Sequence, residues 1–410
     1  MVRISRLASA LALTLVASAS IADERYQSAF NRTLPYRGGT VNVEHDFGGV
    51  TINTGSSPEV VVRATISSSD PEFARQIRID AESIASGVNI RTHYPSGNRK
   101  GELSFSVDYR ITIPANAPLR VQNRFGSISA AGLTAKSELV NSHGSIALAR
   151  SRGAQTLQNR FGSIAVSDHD GNLALTNSHG SVSAQAIRGV ADIKNRFGSV
   201  AVTDVDRDIT VENGNGSVHI RDVRGNADVS NPFGSITIED VTGNVKADGS
   251  HSRVIVRRVR GDATIAAGFG TVDVESIGGL VTVTNQNGSV KATDVGRDLR
   301  VKTSFASVMA SDVRGLLDVE NQNGAISVAA PRTAQCRPMT LRTSFSTIKV
   351  ALPQNASYSV NARTTYGRIH SELPIQTRTV GDDTVIGTIG GGTCKLELVN
   401  ANGNINIERE

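Results

Sequence analysis

The residues best suited to chemistry are histidines set beside serines in the phrase Asn-Ser-His-Gly-Ser. It occurs at Asn141–Ser145 and Asn177–Ser181, and His251 lies in a degenerate third copy. Serine beside histidine could supply a nucleophile and its base, but a hydrolase gathers one nucleophile, one base and one acid in a single cleft. Here the pair recurs along the chain, and Asn replaces His at three of six equivalent positions. The pattern favours a structural role.

Repeated imidazoles and carboxylates could also bind metal ions. The histidines could converge in a column, yet Asn215 interrupts it, and asparagine is a poor ligand for the metals that histidine prefers. Calcium β-rolls use Gly-Gly-x-Gly-x-Asp turns, whereas these turns read Asp-Val-x-Gly, so we expect turn formation instead of calcium binding. We expect no metal and no cofactor. The recurring aspartates are Asp168, Asp204, Asp222, Asp240, Asp294 and Asp312.

The surrounding phrase repeats every 18 residues, twelve times without a slip. Each unit reads as a short alternating strand such as Ile164–Val166, a turn ending in glycine such as Asp222–Gly225, and a second alternating strand. One such unit cannot bury its apolar face, but stacked units can, so the spacing predicts an all-β solenoid. The units start at Asn123, Asn141, Asn159, Asn177, Asn195, Asn213, Asn231, Gly249, Ala267, Asn285, Thr303 and Asn321.

The third position of the phrase admits two coil lengths. A 36-residue coil of four strands would separate phenylalanine from His and Asn into two columns, whereas an 18-residue coil of two strands would alternate them in one column. We favour the 36-residue coil, because like side chains stacked on like fill an interior best. We expect the phenylalanines to face inward, each contributing roughly 2–3 kcal/mol, and the polar residues to serve the turns. The phenylalanine column is Phe125, Phe161, Phe197, Phe233, Phe269 and Phe305, and the polar column is His143, His179, Asn215, His251, Asn287 and Asn323.

The two ends of the array are irregular. We predict a signal peptide at 1–22, an N-terminal β region at 23–122, the regular solenoid at 123–330 and a C-terminal cap at 331–410. Within the second segment, His45–Ile52 is a divergent first copy, followed by an excursion with strand-like runs and a short helix starting at Asp70. The strand-like runs are Val60–Ile66, Gly87–His93 and Leu103–Ile113.

The first residues have the pattern of an export signal. Two arginines precede an apolar run from Leu7 to Val16, and small residues follow, with cleavage expected after Ala22 or after Ala19. An uncleaved membrane anchor is the alternative, but the run is short for a bilayer. Removing residues 1–22, which hold two arginines and no acid, lowers the formal net charge of +5 by two, to +3. This balance gives no nucleic-acid footprint.

The chain has two cysteines, Cys336 and Cys394. Because disulfides persist where exported proteins reside, we predict that they pair, and two unpaired thiols are the alternative.

Three segments near the ends resemble one family. They are VDYRITIPANAPLRVQNRFGSISAAGL (Val107–Leu133), ALPQNASYSVNARTTYGRIHSELP (Ala351–Pro374) and IGTIGGGTCKLELVNANGNINI (Ile386–Ile407). They are similar to the DUF4097 family of adhesin-like, exported bacterial proteins. The resemblance implies a right-handed β-solenoid at the cell envelope, in the periplasm or on the surface, and no catalytic residues.

Two functions from different classes follow. The first is a non-catalytic, exported cell-envelope scaffold or adhesin-like binding protein, whose partner is an unidentified envelope protein or glycan. The second is a solenoid enzyme or binder acting on cell-envelope polysaccharide, which needs a unique cluster of acids or bases on one face. Since the chain shows regular ladders instead, we favour the first, with no nucleic-acid partner and no transmembrane segment after signal cleavage.

Overall fold

The structure is a computed structural model that describes residues 26–96, 103–331, 337–381 and 383–410. It is 68% strand and 2% helix and contains a β-solenoid of about 13 turns, which confirms the predicted all-β fold. The predicted signal peptide, residues 1–22, lies outside the described residues.

The strands divide into an N-terminal group, a regular array and a C-terminal group. The N-terminal group is β1 (Tyr26–Pro35), β2 (Thr40–Phe47), β3 (Val50–Gly55), β4 (Glu59–Ser68), helix α1 (Pro71–Gln76), β5 (Arg78–Ile84), β6 (Gly87–His93) and β7 (Phe105–Pro114). The array is β8 (Leu119–Phe125), β9 (Ile128–Ala131), β10 (Ser137–His143), β11 (Ile146–Arg152), β12 (Gln155–Phe161), β13 (Ile164–Asp170), β14 (Leu173–His179), β15 (Val182–Ile187), β16 (Ala191–Phe197), β17 (Val200–Val205), β18 (Ile209–Val223), β19 (Ala227–Ser230), β20 (Phe233–Val241), β21 (Val245–Gly249), β22 (His251–Val259), β23 (Ala263–Ala267), β24 (Val272–Ile277), β25 (Val281–Asn285), β26 (Val290–Val295), β27 (Leu299–Thr303), β28 (Val308–Val313), β29 (Leu317–Asn321) and β30 (Ile326–Ala329). The C-terminal group is β31 (Met339–Phe345), β32 (Ile348–Leu352), β33 (Tyr358–Thr364), β34 (Ile369–Ser371), β35 (Gln376–Val380), β36 (Thr384–Ile389), β37 (Cys394–Asn402) and β38 (Ile405–Arg409).

The coil contains 18 residues and two strands. Strand β10 pairs in parallel with β8 and with β12, so that His143 lies opposite Phe125 on one side and Phe161 on the other. The 36-residue coil favoured from the sequence is therefore wrong. Matching of like side chains is imposed only at enclosed positions, and the alternating Phe and His positions are not enclosed.

The core is the layer between the two stacks of parallel strands. In the coil formed by β10 and β11, Leu139, Ile146 and Leu148 are buried, while their sequence neighbours Val140 and Ala147 are half-buried and exposed. Val, Ile, Leu and Ala occupy most of the equivalent positions throughout the array. This strand-period burial is what the alternation in the sequence predicts.

Each coil turns at two corners, and backbone sterics specify both. The first corner lies at the glycine of the repeated phrase, between the two strands of a coil, and the second lies at the end of the second strand. At the first corner Gly162 has φ 126°, and an added Cβ would overlap the carbonyl oxygen of Gly144 in the preceding coil. At the second corner ten successive coils place a non-glycine residue at φ 49–61°. Aspartate tolerates this left-handed conformation better than most residues, which explains its recurrence in these turns. The ten residues are Arg150, Asp168, Ala186, Asp204, Asp222, Asp240, Arg258, Ser276, Asp294 and Asp312.

At the N-terminal end the order of coils in space differs from their order in sequence. The coil of β2 and β3 lies between the coil of β8 and β9 and the outermost coil of β6 and β7. Antiparallel strands then cover this outermost coil, with β5 on β6, β4 on β7, and β1 on β4. The divergent first copy and the strand-like runs are thus confirmed as strands. So is the short helix, where Asp70 caps α1 by accepting from the amides of Glu72 and Phe73 at 2.8 and 3.1 Å.

The C-terminal end repeats this arrangement. The coil of β37 and β38 lies between the coil of β31 and β32 and the last coil of β33 and β34, and the β35–β36 hairpin pairs with β33. Covered edges of this kind hinder edge-to-edge aggregation. Cys394 begins β37, is buried and is disulfide-bonded. Cys336 lies outside the described residues, so its pairing with Cys394 stays a prediction.

Candidate functional site

The phenylalanines of the repeated phrase lie on the outside of the first corner. Their exposed fraction ranges from 36% at Phe161 to 61% at Phe305, so the predicted inward orientation is wrong. In the strand that precedes the first corner of each coil, inward and outward positions alternate only as far as the first residue of the phrase, usually Asn. That Asn is buried, and the two residues after it both face solvent, as at Asn159, Arg160 and Phe161.

The exposed rings form one stacked column that runs along the solenoid axis, which we call the ring ladder. Neighbouring ring centroids are 4.8–5.2 Å apart and neighbouring ring planes are inclined by 9–26°. The spacing is that of adjacent strands, so Phe and His share one column and the separate polar column predicted from the sequence is wrong. The ring ladder consists of Phe47, Phe125, His143, Phe161, His179 and Phe197.

The column is interrupted where asparagine replaces histidine. Asn215 follows Phe197 in the register, and a second, shorter stack then joins Phe233, His251 and Phe269 at 5.1 and 4.9 Å. Beyond that point Asn287 and Asn323 alternate with phenylalanine. The exposed fraction of the phenylalanines rises accordingly, from 36–42% at Phe125, Phe161 and Phe197 to 57% at Phe269.

The side chain that caps the turn is the first residue of the phrase, an asparagine, and not the third. The buried Asn159 side chain donates from Nδ2 to the carbonyl oxygen of Gly144 at 2.9 Å, and Asn141 donates to Gly126 at 3.0 Å. These bonds satisfy corner carbonyls that the strand ladder leaves free. The alternating His and Asn positions are therefore not needed for the turns.

Three arginines lean against the ring ladder. The guanidinium carbons of Arg124, Arg160 and Arg196 lie 5.9, 5.3 and 5.3 Å from the centroids of the phenylalanines that follow them. None of the three forms an ion pair within the described part of the chain. Ser142 and Ser178 occupy the same position in the intervening coils, which leaves room for the longer side chains.

On the second-strand side of the arginines the surface carries no acid. We call the coils between Leu119 and Val205 the first five coils. In each of them, the segment from the first Asn of the phrase through the outward residues of the second strand lacks Asp and Glu. Those outward residues are mostly Ser and Ala, so this side of the solenoid is flat and electropositive. The five segments are 123–131, 141–149, 159–167, 177–185 and 195–203.

On the outward face of the first strands, acidic and basic side chains pair with one another. There Lys194 pairs with Glu212 at 3.3 Å and Lys246 with Asp228 at 3.1 Å, in each case across one coil. Against this background the three unpaired arginines of the first corner are distinctive. Sequence reasoning missed them, although the recurrence of Arg before Phe every 36 residues was the available signal.

One serine–histidine pair does form, but inside the core. Ser151 Oγ lies 2.9 Å from His169 Nδ1, and the two residues are 1% and 0% exposed. Burial lowers the pKa of His169 below its usual 6.5. The histidines of the repeated phrase are placed differently: Phe161 separates His143 from His179. They cannot share one metal ion, and the described residues contain no group of three or more His, Cys, Asp or Glu arranged to hold one.

Comparison with known families identifies the architecture. The family model Toastrack DUF4097 matches residues 49–408. The chain belongs to the DUF4097 family. The resemblance seen at the sequence ends is thereby confirmed.

Solved structures similar to this DUF4097 chain include three bacterial proteins. A "putative cell adhesion protein" from Clostridium sporogenes is 9% identical, with coverage of 94% of this chain and 100% of that one and a TM-score of 0.19. A "putative adhesin" from Bacteroides fragilis is 13% identical, with coverage of 63% and 97% and a TM-score of 0.26. A "putative adhesin" from Parabacteroides distasonis is 11% identical, with coverage of 80% and 98% and a TM-score of 0.22. A search of curated proteins finds no match. Across the described ranges, no helix has the length and apolar character needed to cross a bilayer.

Proposed function

We propose that this DUF4097 protein is a non-catalytic, exported cell-envelope β-solenoid that acts as an adhesin-like binding scaffold. The observation that carries the proposal is the ring ladder with its unpaired arginines. Exposed aromatic and cationic side chains held in register on a rigid sheet corner suit contact with an extended partner. The partner is an envelope protein or glycan.

The distribution of reactive groups supports a non-catalytic role. Within the regular array, as far as the structure describes it, the histidines of the repeated phrase and the turn aspartates recur one per coil or one per two coils and do not converge on one cleft. The pair that most resembles a nucleophile and its base, Ser151 and His169, is enclosed between neighbouring coils, where a polymer substrate cannot reach it. An enzyme would need its nucleophile and base together in a cleft that the substrate can enter.

Two features support export. Residues 1–22 have the charge and hydropathy pattern of a secretory signal. Cys394 is disulfide-bonded, and structural disulfides persist mainly in oxidising compartments such as the periplasm and the cell surface.

Fractionation and binding of the full-length chain test the proposal. We expect a C-terminally tagged protein to appear processed in the envelope fraction, and a variant with Arg3→Glu and Arg6→Glu to accumulate unprocessed. The purified protein should co-sediment with isolated envelope material without releasing soluble sugar from it. An unprocessed cytosolic protein would contradict export, failure to sediment would contradict binding, and release of sugar would favour the enzyme.

A further inference from the structure

We infer that the first corner of the first five coils is a docking track for an extended anionic polysaccharide that carries about one acid group per disaccharide. The inference rests on the proposed binding function and names the chemical class of its ligand. The track consists of the ring ladder from Phe125 to Phe197, Arg124, Arg160 and Arg196, and the Ser- and Ala-rich strands beside them.

The orientation of the rings determines which contacts the track can offer. Each inner ring, such as Phe161 between His143 and His179, has both faces covered by its neighbours at 4.9 Å. Only ring edges reach solvent, and the edge of an aromatic ring carries the positive part of its quadrupole. The ladder is therefore not a platform on which bases or sugar rings could stack. Its exposed edges instead complement negatively charged oxygens.

The arginines place full charges along this electropositive line at a fixed interval. They occur in every second coil, and two steps of the ring ladder, 4.8 and 4.9 Å, separate them by roughly 10 Å. In an extended polysaccharide with one uronic acid per disaccharide, carboxylates recur at a comparable interval. Nucleic acid fits less well, because its phosphates recur about every 3.4 Å along each strand of a duplex.

Acidic side chains lie beyond both ends of the track and none lies within it. At one end Asp108 accepts from the backbone amide of Gly49 at 2.8 Å, beside Phe47. At the other end Glu212 and Asp228 line a groove that also contains Arg196, the last arginine of the track. The five copies of the phrase, of which the first starts at Asn123 and the last ends at Ser199, contain no acid. An anionic chain about 20 Å long that follows this corner therefore meets three cations and no repelling carboxylate.

Binding of hyaluronan fragments, which carry one carboxylate per disaccharide, tests the inference by calorimetry at low salt. We expect the protein to bind, and the triple variant R124Q/R160Q/R196Q to bind at least roughly tenfold more weakly, since each exposed charge pair contributes modestly. The matched control R188Q/R207Q/R260Q removes three exposed arginines from the opposite corner and should stay within about twofold of the parent. Added salt should weaken binding to the parent.

A second variant tests the spacing at constant charge. Arg160→Ser combined with Ser178→Arg keeps three arginines but sets them three coils and one coil apart. We expect it to bind more weakly than the parent and to melt at nearly the same temperature, whereas binding equal to the parent would overturn the spacing argument.

Other outcomes separate this inference from the proposed function. Equal weakening by both triple variants would mean attraction by net charge alone and would overturn the track. Tighter arginine-dependent binding of single-stranded DNA than of hyaluronan would overturn the ligand class. Co-sedimentation with envelope material that the triple variant leaves unchanged would overturn the inference and leave the binding scaffold standing. Failure to bind either hyaluronan or envelope material would defeat both.

Discussion

The first five coils and the last four coils of the array, residues 263–329, share one interior and have different exteriors. Both bury aliphatic side chains at equivalent positions, such as Leu173 and Leu299, which are 2% and 0% exposed. The first five coils carry the ring ladder from Phe125 to Phe197, its arginines and an acid-free face. The last four separate their phenylalanines by asparagine and place charged residues on the second strands, where Asp273 pairs with Arg257 at 3.1 Å.

This contrast shows that the core and the surface of the solenoid are specified independently. Because alternate residues of a strand face opposite sides, the inward set can stay constant while the outward set changes. The exterior of a coil can therefore vary without disturbing the core. Differences in the response of the two regions to mutation and pH test this view.

The largest effect is expected in the shared interior. Leu173→Ala and Leu299→Ala should each cost about 2–5 kcal/mol, because each opens a cavity between packed coils. The two losses should be similar, and the exchange of backbone amides should rise mainly in the mutated coil and its neighbours. Hydrogen exchange with mass spectrometry measures this. A large loss in only one region would show that the interiors are not equivalent.

Acid should distinguish the last four coils from the coil of β2 and β3 together with the first five coils, because only the latter bury His45 and His169. Burial, opposed in part by Asp46 and Asp108, lowers the pKa of His45 from 6.5 to about 4, and burial also lowers the pKa of His169. Both stay neutral in the fold and protonate in the unfolded chain, so their stabilisation is complete above about pH 6.5 and is lost as pH falls below it, for His45 down to about 4. For His45 the loss reaches up to about 3 kcal/mol.

Hydrogen exchange near pH 5 and near pH 7 measures this difference. Protection should fall first around His45 and His169, while residues 263–329, which hold no histidine, should change less. Uniform loss of protection would contradict the assignment. His169→Val, which restores the aliphatic residue found at Val205 in the same column, should reduce the acid sensitivity of its coil.

Removing an exposed ring should lower the free energy of unfolding less than removing a core side chain does. The loss should be larger in the ring ladder than in the last four coils. Phe161→Ala loses two stacked neighbours and should cost about 1–2 kcal/mol. Phe305→Ala, at a position 61% exposed between two asparagines, should cost less than about 1 kcal/mol. Thermal melts compare the two. A loss of 3–5 kcal/mol at Phe161 would be the behaviour of an enclosed ring.

The smallest effect is expected from closing the gap in the column. Asn215→His places a ring between Phe197 and Phe233 and should stabilise the chain by about 0.5–1 kcal/mol. Asn287→His is the matched change in the last four coils, and Asn215→Ala is the control that adds no ring. A higher melting temperature for the histidine variants alone would support stacking as the cause. No gain over alanine would mean that the stacked rings contribute nothing to stability.

Much of the fold was predictable from residues that are locally constrained. The 18-residue period, the paired strands, the glycine corners and the left-handed aspartates each follow from backbone geometry within one coil. The helix after Asp70 follows from its cap and from Pro71. The disulfide is specified less completely, because the sequence supplies two cysteines but not their geometry.

The candidate site was only partly predictable. The alternation of Phe with His and Asn was evident, and so were the residues involved, but their orientation and common column were not. Packing reasoning assumed that scarce aromatic residues lie inside. In the structure the aliphatic side chains already fill the thin space between the two sheets, so the rings stack on the outside.

The sequence by itself determined the solenoid, because a period that never slips requires each coil to return to the same place. Only the tertiary structure decided that one coil takes 18 residues, that the terminal coils are inserted out of sequence order at both ends, and that the rings and arginines lie on one exposed corner. Those features depend on how neighbouring coils share space and hydrogen bonds. The sequence of a single repeat does not show these contacts between coils.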